Sequence, residues 1–298
     1  MISKEISQKV KRIKIQANRL VNAQVAGQYV SAYKGHGMVF SEVTPYSAGD
    51  DFRHIDWNVS ARMGELFIKQ FVEERELRVI LLIDMSQSGF FGTQERDKRT
   101  LMAEIAAVIA LAAIKNGDTV GVIIFTDIIE HYIPPKKGIQ HVMRIISDIL
   151  SFQPKNSGTN ISHALEYLNT VHKKQSVAFL ISDFFSSQSF ENALKLTFSK
   201  HDLTAIMVND PIEITLPQCG VVALIDTENN DTILVNFSDP LMKREFEQKM
   251  KQRKDEQKKI FRRMKMPYLE IDTKSDYLIH LVRFFKAKTK SRQYGAHL

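Results

Sequence analysis

The sequence predicts an open α/β fold, a doubly wound and mostly parallel sheet preceded by a small segment of helix and extended pieces. Three observations predict it. Residues Leu77 to Ile83 form an apolar run of strand length interrupted only by Arg78, the pattern of a parallel strand buried on both faces. A long helical pattern from about Gln94 to Lys115 follows, as a crossover helix would. The alternation then repeats as far as Val208, and strands alternating with helices build an α/β sheet.

In chain order, Ile6, Val10, Ile13, Ala17 and Leu20 recur at steps of four and three, which makes residues 4–25 an amphipathic helix in need of an apolar surface. From Lys34 to Gln70 the periodicity fades, and Gly35, Gly37, Pro45 and Gly49 punctuate short apolar pieces, so turns and short strands are expected. A boundary is placed at Glu76, separating an N-terminal segment 1–76 from a sheet domain 77–290. Within that domain strands are predicted at 119–125, 130–133, 176–182, 203–208 and 268–271, and helices at 139–150, 161–172, 190–200 and 276–286. Residues 221–225 and 232–235 flank Thr227-Glu228-Asn229-Asn230-Asp231 as a hairpin.

The chain has 298 residues and a formal charge of +7. Residues 241–265 hold 11 basic and 4 acidic side chains, which leaves 30 of each sign in the other 273. The basic character thus belongs to one segment, not to the protein. The single cysteine, Cys219, excludes an intramolecular disulfide and a cysteine-rich zinc site, and a cytoplasmic location is expected from it. The longest mostly apolar stretch, Leu101 to Ile114, is 14 residues with Glu104 inside it, short of the ~20 that span a bilayer. The N-terminus shows no apolar run followed by a small-residue cleavage site, so no secretory signal is expected.

In an open parallel sheet, ligands bind beyond the carboxyl ends of the strands. Asp84-Met85-Ser86-Gln87-Ser88 follows the first core run, Asp183 follows Leu180-Ile181-Ser182, and Ser157-Gly158-Thr159-Asn160 opens a helix at the same edge. These are oxygen donors without His or Cys, a set that selects Mg²⁺, Mn²⁺ or Ca²⁺ over zinc. Because the hydroxyls are neutral, a cation held there keeps positive charge and attracts an outside anion.

Asp84-x-Ser86-x-Ser88, then Thr159, then Asp183 resembles the metal-ion-dependent adhesion site of von Willebrand factor A domains. The upstream stretch from Tyr46 to Trp57, with Ser60-Ala61-Arg62 and Glu73-Glu74-Arg75-Glu76 behind it, is similar to the signature of the bacterial domain-of-unknown-function 58 family. That resemblance implies direct metal binding by Ser86, Ser88 and Thr159, with Asp84 and Asp183 acting through water or by orienting the hydroxyls. It also implies a partner protein that completes the coordination with a carboxylate, and an adaptor role beside a MoxR-type AAA+ ATPase. The expected function is a non-enzymatic, metal-dependent protein-interaction module.

Competing readings are weaker. Arg53, Asp56, Arg62, Glu73 and Glu74 around Trp57 read as an ion-paired, stacked structural cluster rather than a catalytic one. The nine histidines show no zinc spacing, and no phosphate-binding glycine loop is present. A nucleophile elbow at Ser86, with Asp272 and His280 as partners, lacks the flanking glycines. Segment 241–265 offers a nucleic-acid-binding alternative, but its polar centre has no aromatics to stack bases. The apolar residues Met242, Phe246, Met250, Ile260, Phe261 and Met264 predict instead a long helix held at both ends. Lys251, Arg253 and Lys254 in its middle are a candidate docking face for an acidic partner.

Overall fold

The computed structural model describes residues 4–20, 26–33, 38–47, 49–73, 76–87, 96–186, 188–213, 215, 220–225, 232–236 and 239–295. The chain forms two compact units, Lys34–Glu76 and a larger one made of Met1–Tyr33 together with Leu77–Leu298. The division at Glu76 coincides with the start of the sheet, but the N-terminal helices fall with the sheet and not with the segment that follows them.

The larger unit explains why. Its helices are α1 (Lys4–Leu20), α2 (Ala26–Ala32), α4 (Lys98–Lys115), α5 (Ile139–Ser151), α6 (Ile161–Val171), α7 (Glu191–Lys200), α8 (Pro240–Arg263) and α9 (Tyr277–Gly295), with α3 belonging to the smaller unit. Its main sheet runs in the order β10-β7-β6-β3-β4-β5, from β10 (Tyr268–Asp272), β7 (Asp202–Asn209), β6 (Val177–Ser182), β3 (Arg78–Asp84), β4 (Thr119–Phe125) and β5 (Ile129–Lys136). All neighbours pair in parallel except β4 with β5. A separate ribbon pairs β8 (Val221–Ile225) with β9 (Thr232–Asn236), the predicted hairpin.

Successive residues of β3 serve opposite faces, as the pleat requires. Val79, Leu81 and Ile83 join one apolar cluster with α1, α2, α4, α5 and α9, while Ile80 and Leu82 join a second with α6, α7 and α8. That two-sided burial is why the run reads as continuously apolar. Helix α4 is apolar all round, with Leu101 to Ala113 buried except Glu104. A helix of that kind needs cover on its outer side too. The stripe of α1, with Ile13 and Ala17 buried, packs on α4 and α5 and supplies it. Helix α2 packs on α4 and α9, and its buried Tyr29 hydroxyl donates to Asp118 Oδ2 at 3.1 Å.

β5 is longer than its sequence pattern because Pro134 and Pro135 lie inside it, which an edge strand tolerates. It approaches β4 closely at Gly121. A Cβ there would lie 2.9 Å from the Ile133 carbonyl oxygen and 2.9 Å from the Pro135 nitrogen, both backbone atoms. Gly121→Ala is therefore expected to lower stability by about 2 kcal/mol in urea denaturation, and an unchanged midpoint would show that the edge strand can shift at no cost.

In the smaller unit, β1 (Met38–Pro45) pairs antiparallel with β2 (Phe67–Glu73), with a register shift between Phe40 and Glu42. Helix α3 (Trp57–Met63) lies between them in sequence, N-capped by Asp56 and ended by Gly64 at φ 77°. Among the described side chains, which do not include those of Glu73 and Glu74, Arg53 and Asp56 do not join the expected charged cluster on Trp57. Arg53 pairs with Asp51 at 2.8 Å, Asp56 is used by the cap and by Lys69 at 3.4 Å, and Trp57 is 68% exposed. Local pairing takes Arg53, and capping takes Asp56, before either can reach the indole. Glu74 lies outside the described residues.

Candidate functional site

Three loops meet at the carboxyl edge of the sheet, and backbone hydrogen bonds fix them to one another. Met85 N donates to Phe125 O at 2.9 Å, Gln87 N to Ser157 O at 3.2 Å, and Asn160 N to Thr126 O at 2.9 Å. The loop that carries Thr159 is clamped by Glu130, whose Oε1 accepts from Lys155 N at 2.9 Å and Asn156 N at 3.2 Å. Its upstream end is held by Arg99, whose buried guanidinium donates to the Ile149, Leu150 and Phe152 carbonyls at the end of α5. From the β6 side, Ser186 Oγ donates to Thr159 O at 3.2 Å.

The structure thus brings Asp84, Ser86, Thr159 and Asp183 to one edge, while Ser88 lies outside the described residues. Asp84 is buried; its Oδ1 accepts from Ser86 N at 3.0 Å and its Oδ2 from Ser182 Oγ at 2.6 Å. Burial, and then the charge of Asp183, push the Asp84 carboxyl up to about 6, although the Ser182 and Ser86 bonds pull the other way. Asp183 Oδ1 accepts from Phe185 N at 2.9 Å. Its Oδ2 accepts from Lys98 Nζ at 2.7 Å, and the same ammonium reaches Glu213 Oε1 at 2.5 Å. The Lys98 side chain is fully buried. Burial works against its charge, but Asp183 and Glu213 outweigh that and hold its pKa above the ordinary lysine value. Glu213 belongs to a short turn, Pro211–Glu213, after β7, where its Oε2 accepts from Asp210 N at 2.9 Å.

Backbone conformation contributes at Phe184, which has a φ of 58°. A side-chain-bearing residue pays about 1–2 kcal/mol there, and the ring offsets it by full burial against Phe190 and Phe261. This bend turns Asp183 inward and Phe185 outward. Phe185 is 46% exposed and lies under the Arg253 guanidinium, 3.5 Å from the ring centroid. Gln257 Nε2 donates to Phe184 O at 2.6 Å, so α8 runs along this edge. The expected long basic helix exists, but its middle is not free. Lys254 and Lys258 pair with Glu270 on β10, Arg263 pairs with Glu191, and only Phe261 of its apolar residues is fully buried. Lys254 is structural on this geometry, which removes it from the docking face the sequence suggested; Arg253 lies on the Phe185 ring and Lys251 remains exposed.

Lys98 and Glu213 are the members sequence reasoning missed, and Arg253, which it singled out on the basic helix, was not connected with this edge. Glu213 was within reach of the rule applied to the other strands, since it closely follows the apolar run of β7. A hydrolase arrangement is not formed. Asp272 ends β10, three strand spacings or about 14 Å from β3, and its Oδ1 accepts from Lys274 N and Ser275 N in a turn.

The resemblance implies a divalent cation. The hydroxyls suit one, but each oxygen of Asp84 and Asp183 already accepts a hydrogen bond, one of them from a buried ammonium whose charge would repel the ion. Among the described residues no three His, Cys, Asp or Glu side chains gather as metal ligands. Among the described residues, the carboxylate donors do not fit a resident divalent cation.

An uncharacterized protein of Mycobacterium tuberculosis, Rv1480, is 27% identical over 96% of this chain and 90% of its own. Similar solved structures include an aerotolerance-related membrane protein from Bacteroides fragilis, at 14% identity and a TM-score of 0.46 over 71% of this chain and 99% of that one. They include the SpRpn10 VWA domain, at 10% identity and a TM-score of 0.33 over 45% and 76%. The expectation of a cytoplasmic chain is corrected by the first of these structures, a membrane protein similar to this chain. The single cysteine on which that expectation rested excludes an intramolecular disulfide and does not specify a compartment. No helix of the described residues is long and apolar enough to cross a membrane. A family model described as "Protein of unknown function DUF58" matches residues 42–256, and with most of its length covered by that match the chain belongs to the DUF58 family.

Proposed function

We propose that the chain is a non-enzymatic protein-interaction module that docks a partner on the carboxyl edge of its sheet, around Phe185. The observation that carries this reading is the exposed Phe185 ring held in place by Arg253 at 3.5 Å, above loops that are cross-bonded from three strands. Aromatic and arginine side chains set on a rigid base are the usual anchors of protein interfaces. The family resemblance supplies the candidate partner, a MoxR-type AAA+ ATPase. Metal dependence is not part of this reading, because the donor set does not support it. Nor is nucleic-acid binding, since the cations of α8 that face the sheet are engaged with Glu270 and Phe185.

The test is binding of the purified host ATPase to wild type and Phe185→Ala, followed by surface plasmon resonance. Affinity is expected to fall at least tenfold while the melting temperature stays within about 2 °C, since the ring is half exposed. Equal affinity for the two proteins would reject the edge as the docking surface.

A further inference from the structure

We propose that Lys98 is the built-in cation of the strand-edge site, placed so that its ammonium neutralises Asp183 and Glu213 and keeps a divalent ion out. Three features converge on this. The ammonium is fully buried and shared between two carboxylates, at 2.7 and 2.5 Å, and a buried lysine persists only where such pairing compensates its lost hydration. The oxygen it holds, Asp183 Oδ2, is the one not already taken by Phe185 N. Lys98 is also the first residue of α4, directly after the N-cap Asp97.

That last position is informative. A cation in the first turn opposes the helix dipole, which favours anions there. Local helix chemistry would place an acidic or neutral side chain at this point, so the lysine is set against its own helix in favour of a distant cluster. Asp84, Asp183 and Glu213 together bring three carboxylates to this part of the edge, and Arg253, the next cation, is engaged with Phe185. Without an internal positive charge the carboxylates of Asp183 and Glu213 would be left as uncompensated oxygen donors, the kind that hard cations take. With it, Asp183 and Glu213 share a cation in the absence of metal. Lys98 plays this part whether or not a partner docks at Phe185.

The experiment is a Mn²⁺ titration followed by electron paramagnetic resonance of the free ion, with the full chain as wild type, Lys98→Met, and Lys98→Met/Asp183→Asn. Lys98→Met is expected to bind Mn²⁺ at least tenfold more tightly than wild type, and the gain is expected to vanish when Asp183 is also changed. Equal affinity in wild type and Lys98→Met, no binding by either, or a gain that survives Asp183→Asn overturns the proposal. If Lys98→Met fails to fold, Lys98→Met/Glu213→Gln, which removes one of the uncompensated buried charges, takes its place in the same comparison. The ATPase-binding measurement uses a different ligand and a different residue, so either idea can fail alone.

Discussion

Phe261→Ala is expected to lower the free energy of unfolding by about 4 kcal/mol, a loss typical of emptying a fully buried aromatic site. The ring is fully buried near the end of α8, with its centroid 5.2 Å from that of Phe184 and 5.5 Å from that of Tyr268. Few other contacts hold this helix by burial. Its removal should therefore loosen α8 locally as well as globally, and with it the Gln257 bond to Phe184 O and the Arg253 stack on Phe185. Urea denaturation gives the first effect, and faster hydrogen exchange along α8 gives the second. A loss below 1 kcal/mol, or exchange in α8 no faster than in wild type, would mean that the ion pairs with Glu270 and Glu191 anchor the helix instead.

Asp84→Asn is expected to stabilise the protein at pH 8 by up to about 3 kcal/mol and to have no such effect at pH 4. The folded carboxyl lies at about 6, above its ordinary value of 3.8. A group raised in this way favours the fold below the ordinary value and loses that contribution as pH rises through about 6. Above pH 6 the ionised, buried Asp84 is a burden on the fold, whereas asparagine keeps the shape and can still accept from Ser86 N without a charge. Thermal unfolding at the two pH values measures the difference, about 6–12 °C at most for a domain of this size. A gain of the same size at both pH values, or a loss at pH 8, would show that the carboxylate is better solvated than its burial indicates. A residue retained at such a cost is where function is to be sought.

Much of the fold was legible because burial on both faces of a strand leaves an unmistakable mark, as in Val79 to Ile83, and because β6 and β7 repeat it. Strand order was not legible, since crossover length does not say on which side the next strand adds. The cover that α1 gives α4 was half visible: the amphipathic stripe announced that a surface was needed, and the all-apolar α4 was that surface, but nothing local connects residues 4–20 to 98–115. At the site, Asp84, Ser86, Thr159 and Asp183 were found because strand ends can be read in sequence. Lys98 was not, because one lysine between Asp97 and Arg99 looks like any solvated helix start. Its only local signal was a positive charge at the wrong end of a helix. For α8, eleven basic residues across 241–265 suggested an open polyelectrolyte, and the acids that quench one side of it, Glu191 and Glu270, lie far from it in sequence or beyond its end.

The company kept by α1 and α2 makes the Lys34–Glu76 unit an insertion that splits an otherwise continuous domain. During synthesis the first two helices emerge before any of the sheet they cover, and 43 residues of a separate unit must follow before β3 appears. The domain cannot close on itself from the N-terminus forward; its earliest segment waits for α4 and, through α2, for α9 near the other end of the chain. Folding of this domain is consequently a long-range event that ties its two ends together, and a cut at Glu76 would remove part of its roof rather than free an intact core.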